Sequence, residues 1–287
     1  MKREWKAIAL DFDNTIANTF APSHSGIGVN EACRMAVARM FGTHGVRAFD
    51  VIGGLQNRAP LELIQALFSQ DGCRHDFLTA AKQYLELYLT ELDGLVRHGS
   101  GVPLVWVDND PEPVVAELFV RVKLRTLLRE ISRNPQGLWP IPCAGIVPYL
   151  KRIKAHDIPL AILSSGHEAF IRKAFALWRQ ECPSTMVTDD DLRGLAGVPR
   201  EKRTKPSEFV FQRLLDVWKA NDPRITGIQR CDIAYVGDDP IRDGKLAHSA
   251  GARFVWFNPY GEKLPDGGAK PDIEIQHFTQ LFPQRRP

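Results

Sequence analysis

The sequence predicts an α/β protein, a parallel-sheet core interrupted after its first strand by a long, mainly α-helical insertion. Three observations predict it. Short apolar runs alternate with helical stretches through the second half of the chain, the pattern of βαβ units. The first such run, Ala7 to Phe12, stands alone near the N-terminus and belongs with the later set. Between them, residues 17–140 carry mostly helical periodicity. The expected domains are therefore residues 1–16 with 141–287 for the α/β core, and 17–140 for the helical segment.

The elements follow in order. Ala7 to Phe12 (AIALDF) is an apolar run ending in acids, which reads as a buried parallel strand delivering carboxylates at its C-terminal end. Ile16 to Gly28 is loop-like. Asn30 to Phe41 is helical, with Asn30 as the expected N-cap. Pro60 opens PLELIQALF, where a first-turn proline is tolerated. Phe77, Leu78, Ala81, Tyr84, Leu85, Tyr88, Leu89 and Leu92 give Asp76–Val96 a period near that of a helix. Residues 97–113 are broken by glycines and prolines and read as an irregular excursion. Val114–Ile131 is helical again, and Asn134 to Pro142 reads as a linker. The core then resumes with a helix over Gly145–His156, a strand over Ile158–Leu163, and helices over His167–Trp178 and Lys205–Trp218. A strand over Asp232–Val236, a helix over Arg242–Ser249 and a strand over Ala252–Phe257 complete it. Tyr84, Tyr88, Trp106 and Trp139 are expected in packing. Pro283–Pro287 reads as a frayed tail.

Composition narrows the class. With 287 residues, 44% of them hydrophobic, the chain can bury one sizeable core and a second, smaller one. The net charge of +3 is spread along the chain, so no nucleic-acid partner is expected. The five cysteines are far apart and form no CxxC pair, which speaks against a zinc site or a disulfide framework. The N-terminal stretch is too short for a secretory segment, and no apolar window approaches the length that spans a bilayer. A soluble, cytoplasmic protein without a membrane partner is expected. The sequence leaves the oligomeric state open.

Four clusters carry chemistry. Asp11-Phe12-Asp13-Asn14-Thr15 places two carboxylates where a strand ends, the usual ligand crevice of an open parallel sheet. Ser164-Ser165-Gly166 follows an apolar strand and precedes a helix, where hydroxyls and free N–H groups suit phosphate. Thr204-Lys205-Pro206 sets a lysine at a helix start. Gly237-Asp238-Asp239-Pro240, then Asp243, supplies carboxylates suited to a hard cation. Alone, each has an ordinary reading as a turn, an N-cap or a solvated lysine. Four in order, each at a strand end or helix start of one sheet, are not expected by chance.

Together these motifs resemble the haloacid dehalogenase-like (HAD) hydrolase superfamily, in its phosphatase branch with a helical cap, as in phosphoglycolate-phosphatase-like and β-phosphoglucomutase-like proteins. The resemblance covers residues 7–16 and about 140–260, and it implies a Rossmann-like core with an inserted helical cap domain. It implies that Asp11 is the nucleophile and Asp13 the general acid and base. It implies Mg²⁺ on the Asp11 carboxylate, the Asp13 carbonyl and Asp238, and phosphoryl oxygens on Ser164, Ser165, Gly166 and Lys205. Thr15, Asp239 and Asp243 would support this set. Dehalogenase members lack the second aspartate of the first motif. Asp13 therefore favours phosphoester chemistry, the hydrolysis of a small phosphorylated metabolite through an aspartyl-phosphate. A sugar-phosphate mutase or a non-catalytic binding protein on the same scaffold are the alternatives. In this architecture the cap contacts the leaving group, and His24, Asn57 and Arg58 are the candidate contacts. The cap is longer than usual for the branch, mainly around residues 97–113.

Overall fold

In a computed structural model of the chain, the described residues are 5–54, 58–70, 72–97, 100–133, 135 and 139–282. They form two compact units, Met1–Thr19 with Pro140–Pro287, and Phe20–Trp139.

The first unit is built on a six-stranded sheet. Its strands are β1 (Ala7–Leu10), β4 (Leu160–Leu163), β5 (Thr185–Val187), β6 (Ile233–Gly237), β7 (Arg253–Phe257) and β8 (Ile273–Ile275). Every pairing is parallel and the order is β5-β4-β1-β6-β7-β8. The chain builds outward from β1 on one side through β4 and β5, then returns to build outward on the other through β6 to β8. The crevice at the C-terminal end of β1, between β4 and β6, is thus the switch point of the sheet. Ala7 and Ala9 pack with Phe211, Trp218 and Tyr235 in one core, and Ile8 and Leu10 alternate to the opposite face. Helices of this unit that accompany the strands include α5 (Ile146–Ala155), α6 (Glu168–Leu177), α8 (Glu208–Asn221) and α9 (Lys245–Ser249).

A two-residue antiparallel pairing joins β2 (Ala17–Asn18) to β3 (Ile141–Pro142), where Ala17 faces Pro142. It draws residues 17–19 into the first unit, so the division falls three residues beyond the expected position. Ile16–Gly28, read as loop, contains this short strand.

The second unit holds α1 (Val29–Val51), α2 (Pro60–Phe68), α3 (Cys73–Asp93) and α4 (Glu112–Arg133) around one core that includes Phe41, Leu67, Phe77, Leu85 and Phe119. The N-cap of α1 is Gly28, not Asn30, which lies inside the helix. Gly42 breaks α1 with a φ of 65°. In the excursion over 97–113, the described residues are pinned to the core from within. Arg121 is 2% exposed, pairs with Glu117 at 2.8 Å, and donates to the Val102 carbonyl at 3.0 Å and to the α3 carbonyls of Leu92 and Asp93. Leu104 is buried in the same helical core. No helix among the described residues is long and apolar enough to cross a membrane.

Besides β2 and β3, three further elements escaped the sequence reading. β5, α7 (Asp189–Arg193) and β8 are three to five residues each, too short for a periodic signal. Two others shift. Lys205 precedes α8 by three residues, and Arg242 sits in a π-helical turn, Pro240–Gly244, ahead of α9.

Candidate active site

Residues following β1, β4 and β6 converge at the switch point. Asp11 is the first residue after β1, and its N–H donates to the Val236 carbonyl at 2.9 Å. The next turn is tightly folded. The Phe12 carbonyl accepts from the N–H groups of Thr15, Ile16 and Ala17, and Asn14 takes a left-handed φ of 56°. This turn returns the chain so that the buried Thr19 Oγ1 donates to Asp13 Oδ1 at 2.7 Å. Thr15 is buried, with its Oγ1 3.5 Å from Asp238 Oδ1.

Lys205 is the centre of the charge network. Its ammonium, 5% exposed, donates to Asp11 Oδ1 at 2.5 Å and to Asp243 Oδ1 at 2.8 Å. Tyr235 Oη lies 3.1 Å from the same Asp243 oxygen, and the Asp239 N–H donates to the other at 3.3 Å. Gly237 makes room for this arrangement, since a β-carbon there would stand 2.3 Å from Asp243 Oδ2. The Asp238 main-chain carbonyl is held by Trp256 Nε1 at 2.9 Å. Carboxylate oxygens of Asp11, Asp238 and Asp243 lie within 4.8 Å of one another.

The loop after β4 completes the site. Ser164 Oγ accepts from the Gly166 N–H at 2.9 Å. A β-carbon on Gly166 would stand 3.2 Å from Asp13 Oδ2, so this glycine brings the loop main chain up to the first turn. Ser165 Oγ accepts from Arg242 at 2.9 Å, a contact across the end of β1 between the loops that follow β4 and β6.

No protein-family model matches the chain, and no curated protein sequence matches it. Solved structures do. A 2-haloacid dehalogenase from Pseudomonas syringae pv. Tomato DC3000 superposes with a TM-score of 0.51 at 19% identity, covering 96% of each chain. CbbY from Rhodobacter sphaeroides, in complex with xylulose-(1,5)bisphosphate, gives 0.51 at 16% identity over 98% of this chain and 96% of that one. A predicted phosphoglycolate phosphatase from Haemophilus somnus 129pt gives 0.50 at 15%, over 97% and 96%. The chain has the haloacid dehalogenase-like fold. At these identities the likeness concerns the fold alone, so the chemistry rests on the site itself.

The electrostatics of the site are those of crowded carboxylates. Burial raises Asp11 well above the usual carboxylate value; Lys205 opposes it, and Asp243, Asp238 and Asp13 add to the rise. Burial and then Asp243 push Asp238 up to about 7. Lys205 is raised: burial opposes its charge, but Asp11 and Asp243 overcome that and keep it an ammonium. Three carboxylates with one lysine leave an excess of negative charge that a hard cation would balance.

The structure brings Asp11, Thr15, Lys205, Asp238 and Asp243 into one network, with Asp13, Ser164 and Gly166 in a second group beside it. Asp239 turns away from Lys205: its carboxylate caps the π-helical turn by accepting from the N–H groups of Ile241 and Arg242. The remaining candidates belong to the second unit. Arg58 donates to the carbonyls of Ile52 and Gly54 and so closes the end of α1. His24 is exposed beside Ser23 and Ser25, which both donate to the buried Glu130. Asn57 lies outside the described residues. Thr19, Tyr235 and Arg242 were missed. Arg242 reaches 77 positions back to Ser165, whereas Thr19 and Tyr235 bond to Asp13 and Asp243 only six and eight positions away, within turns that no motif marks.

Proposed function

We propose that the chain is a phosphatase that hydrolyses a small phosphomonoester through an aspartyl-phosphate on Asp11. The observation that carries this reading is the pairing of a buried, lysine-bound Asp11 with a second carboxylate, Asp13, two residues on and held by Thr19. A halide leaves without a proton, whereas an alkoxide needs one, and Asp13 is positioned as an acid that a dehalogenase does not require.

In this reading the Asp11 carboxylate attacks phosphorus and the bond to the leaving oxygen breaks. Asp13 gives its proton to that oxygen. It then takes a proton from a water molecule, which attacks the aspartyl-phosphate, releases phosphate and regenerates Asp11. Lys205 offsets charge on Asp11 and on the phosphoryl oxygens. Ser164 and the N–H groups of its loop hold those oxygens. Asp243 positions Lys205.

The donor set fits Mg²⁺, which takes carboxylate and carbonyl oxygens. Asp11, Asp238 and the Asp13 carbonyl would hold it. Asp243 is less suited, because both its oxygens already accept hydrogen bonds from Lys205 and the Asp239 N–H. When bound, such an ion neutralises negative charge on the transferring group.

The test is phosphate release from p-nitrophenyl phosphate with Mg²⁺ and with EDTA. Release is expected to require the metal and to fall by at least about a thousandfold in Asp11→Asn. A folded, Mg²⁺-loaded wild type no faster than Asp11→Asn, here and across a panel of metabolite phosphates, would remove the reading.

A further inference from the structure

A concentration of positive charge in the second unit takes no part in the chemistry above. Arg125, Arg129 and Arg133 follow one another at four-residue intervals on α4. At 3.6 residues per turn, these three and Thr126 fall within a sector of about 100°. Arg39 of α1 reaches into that sector, where its guanidinium donates to Thr126 Oγ1 at 2.8 Å. Four guanidinium groups from two helices are thereby gathered on one face.

Their compensation is incomplete. Among the described residues, Glu91 is the carboxylate that pairs with this group, at 2.9 Å from Arg125 and 2.8 Å from Arg129. Arg39 and Arg133 form no ion pair among those residues. The guanidinium of Arg125 is 5% exposed, stacks 4.8 Å over the Tyr88 ring and donates to Tyr84 Oη. Its Nε is buried without a hydrogen-bond partner. The strain registers on Arg39, whose guanidinium is lowered from its ordinary value first by partial burial and then by the charges of Arg125, Arg129 and Arg133. A lone arginine at the end of α4 would be explained by the helix dipole. That does not explain Arg39, which comes from another helix into a field of like charge.

We propose that Arg39, Arg129 and Arg133, seated on the rigid Arg125–Tyr84–Tyr88 platform, bind the phosphate group of a small polyanionic molecule. Planar guanidinium forks match phosphate oxygens in pairs, and a dianion would balance most of the uncompensated charge. The site lies within the second unit and does not depend on the phosphatase reading.

The experiment is calorimetric titration of the full chain with inorganic pyrophosphate at fixed ionic strength. It compares wild type, the triple variant Arg39→Gln/Arg129→Gln/Arg133→Gln, and the core variant Ser164→Ala. The triple variant is expected to lose one binding event or to weaken it at least tenfold, while Ser164→Ala retains that event. Arg39→Lys, which keeps the charge without the fork, should bind between the two. Melting temperature and circular dichroism verify that each variant is folded. Overlapping isotherms for wild type and a folded triple variant would overturn the proposal, as would absence of the event from wild type. Tighter binding of a single-stranded oligonucleotide than of pyrophosphate would overturn the assignment to a small molecule. A phosphatase failure would leave the triple-variant comparison unaffected, so the two readings fail separately.

Discussion

In the proposed reaction Asp13 gives one proton and later takes another. A carboxylate that must give and then take a proton has to stay in reach of the leaving oxygen through both half-reactions. Thr19 supplies that restraint through one hydrogen bond, six residues along a turn that Phe12 and Asn14 shape. Thr19→Val preserves shape and burial but removes the bond. We expect kcat for phosphate release to fall by about tenfold to a hundredfold, with the melting temperature close to wild type. An unchanged kcat in steady-state assays would show that Asp13 is held by other means. Lys205 depends on position as much. Without Asp243 and Tyr235 behind it, its ammonium would follow Asp11 alone.

At the scale of elements, the smallest pieces hold the site in place. α7 is five residues long, yet its Asp190 is buried, accepts from the Glu168 N–H at 3.1 Å at the start of α6, and pairs with His167 at 2.9 Å and Arg193 at 3.1 Å. These contacts anchor the helix that follows the Ser164 loop. Burial raises the Asp190 carboxyl, but His167, Arg193 and the Glu168 N–H outweigh it and hold it well below the usual carboxylate range. A carboxyl depressed in the folded state stabilises the protein above its unfolded value, and that contribution fades as pH falls toward the folded one. Asp190→Asn is therefore expected to cost about 3–5 kcal/mol near neutrality. The gap from wild type should close only below about pH 4. Urea melts across that range check this, and a gap constant with pH would disprove the assignment. The π-helical turn is the other such device. It buries Asp243 while leaving its neighbour Arg242 exposed on Ser165.

For the whole molecule, the governing feature is a division into two units whose buried clusters are distinct. The sheet core centred on Phe211, Trp218 and Tyr235 and the helical core centred on Phe77 and Phe119 are separate sets of buried residues. Chains of this kind depart from two-state unfolding. Phe77→Ala, which empties a site 2% exposed, should cost about 3–5 kcal/mol in the helical unit. Scanning calorimetry is expected to show one transition lowered and another in place. A uniform shift of a single transition would mean that the two units unfold as one.

Much of this protein is legible without coordinates. Asp11, Ser164, Lys205 and Asp238 each stand at the end of an apolar run or just before a helical one. A strand carries its own signature in a few consecutive residues, and a carboxylate at its end is placed by chain direction alone. The alternation in the second half and the helical periods of residues 60–68 and 114–131 are local in the same sense. The tertiary structure decided what depends on residues distant in sequence. The Lys205–Asp11 bond spans 194 positions, Arg242–Ser165 spans 77, and Arg39–Thr126 spans 87. Such pairings follow from sheet order and helix packing, which no short window encodes. Asp239 illustrates the difference. An aspartate after a strand reads equally as part of a charge network or as a turn cap, and only the path of the following turn selects the cap.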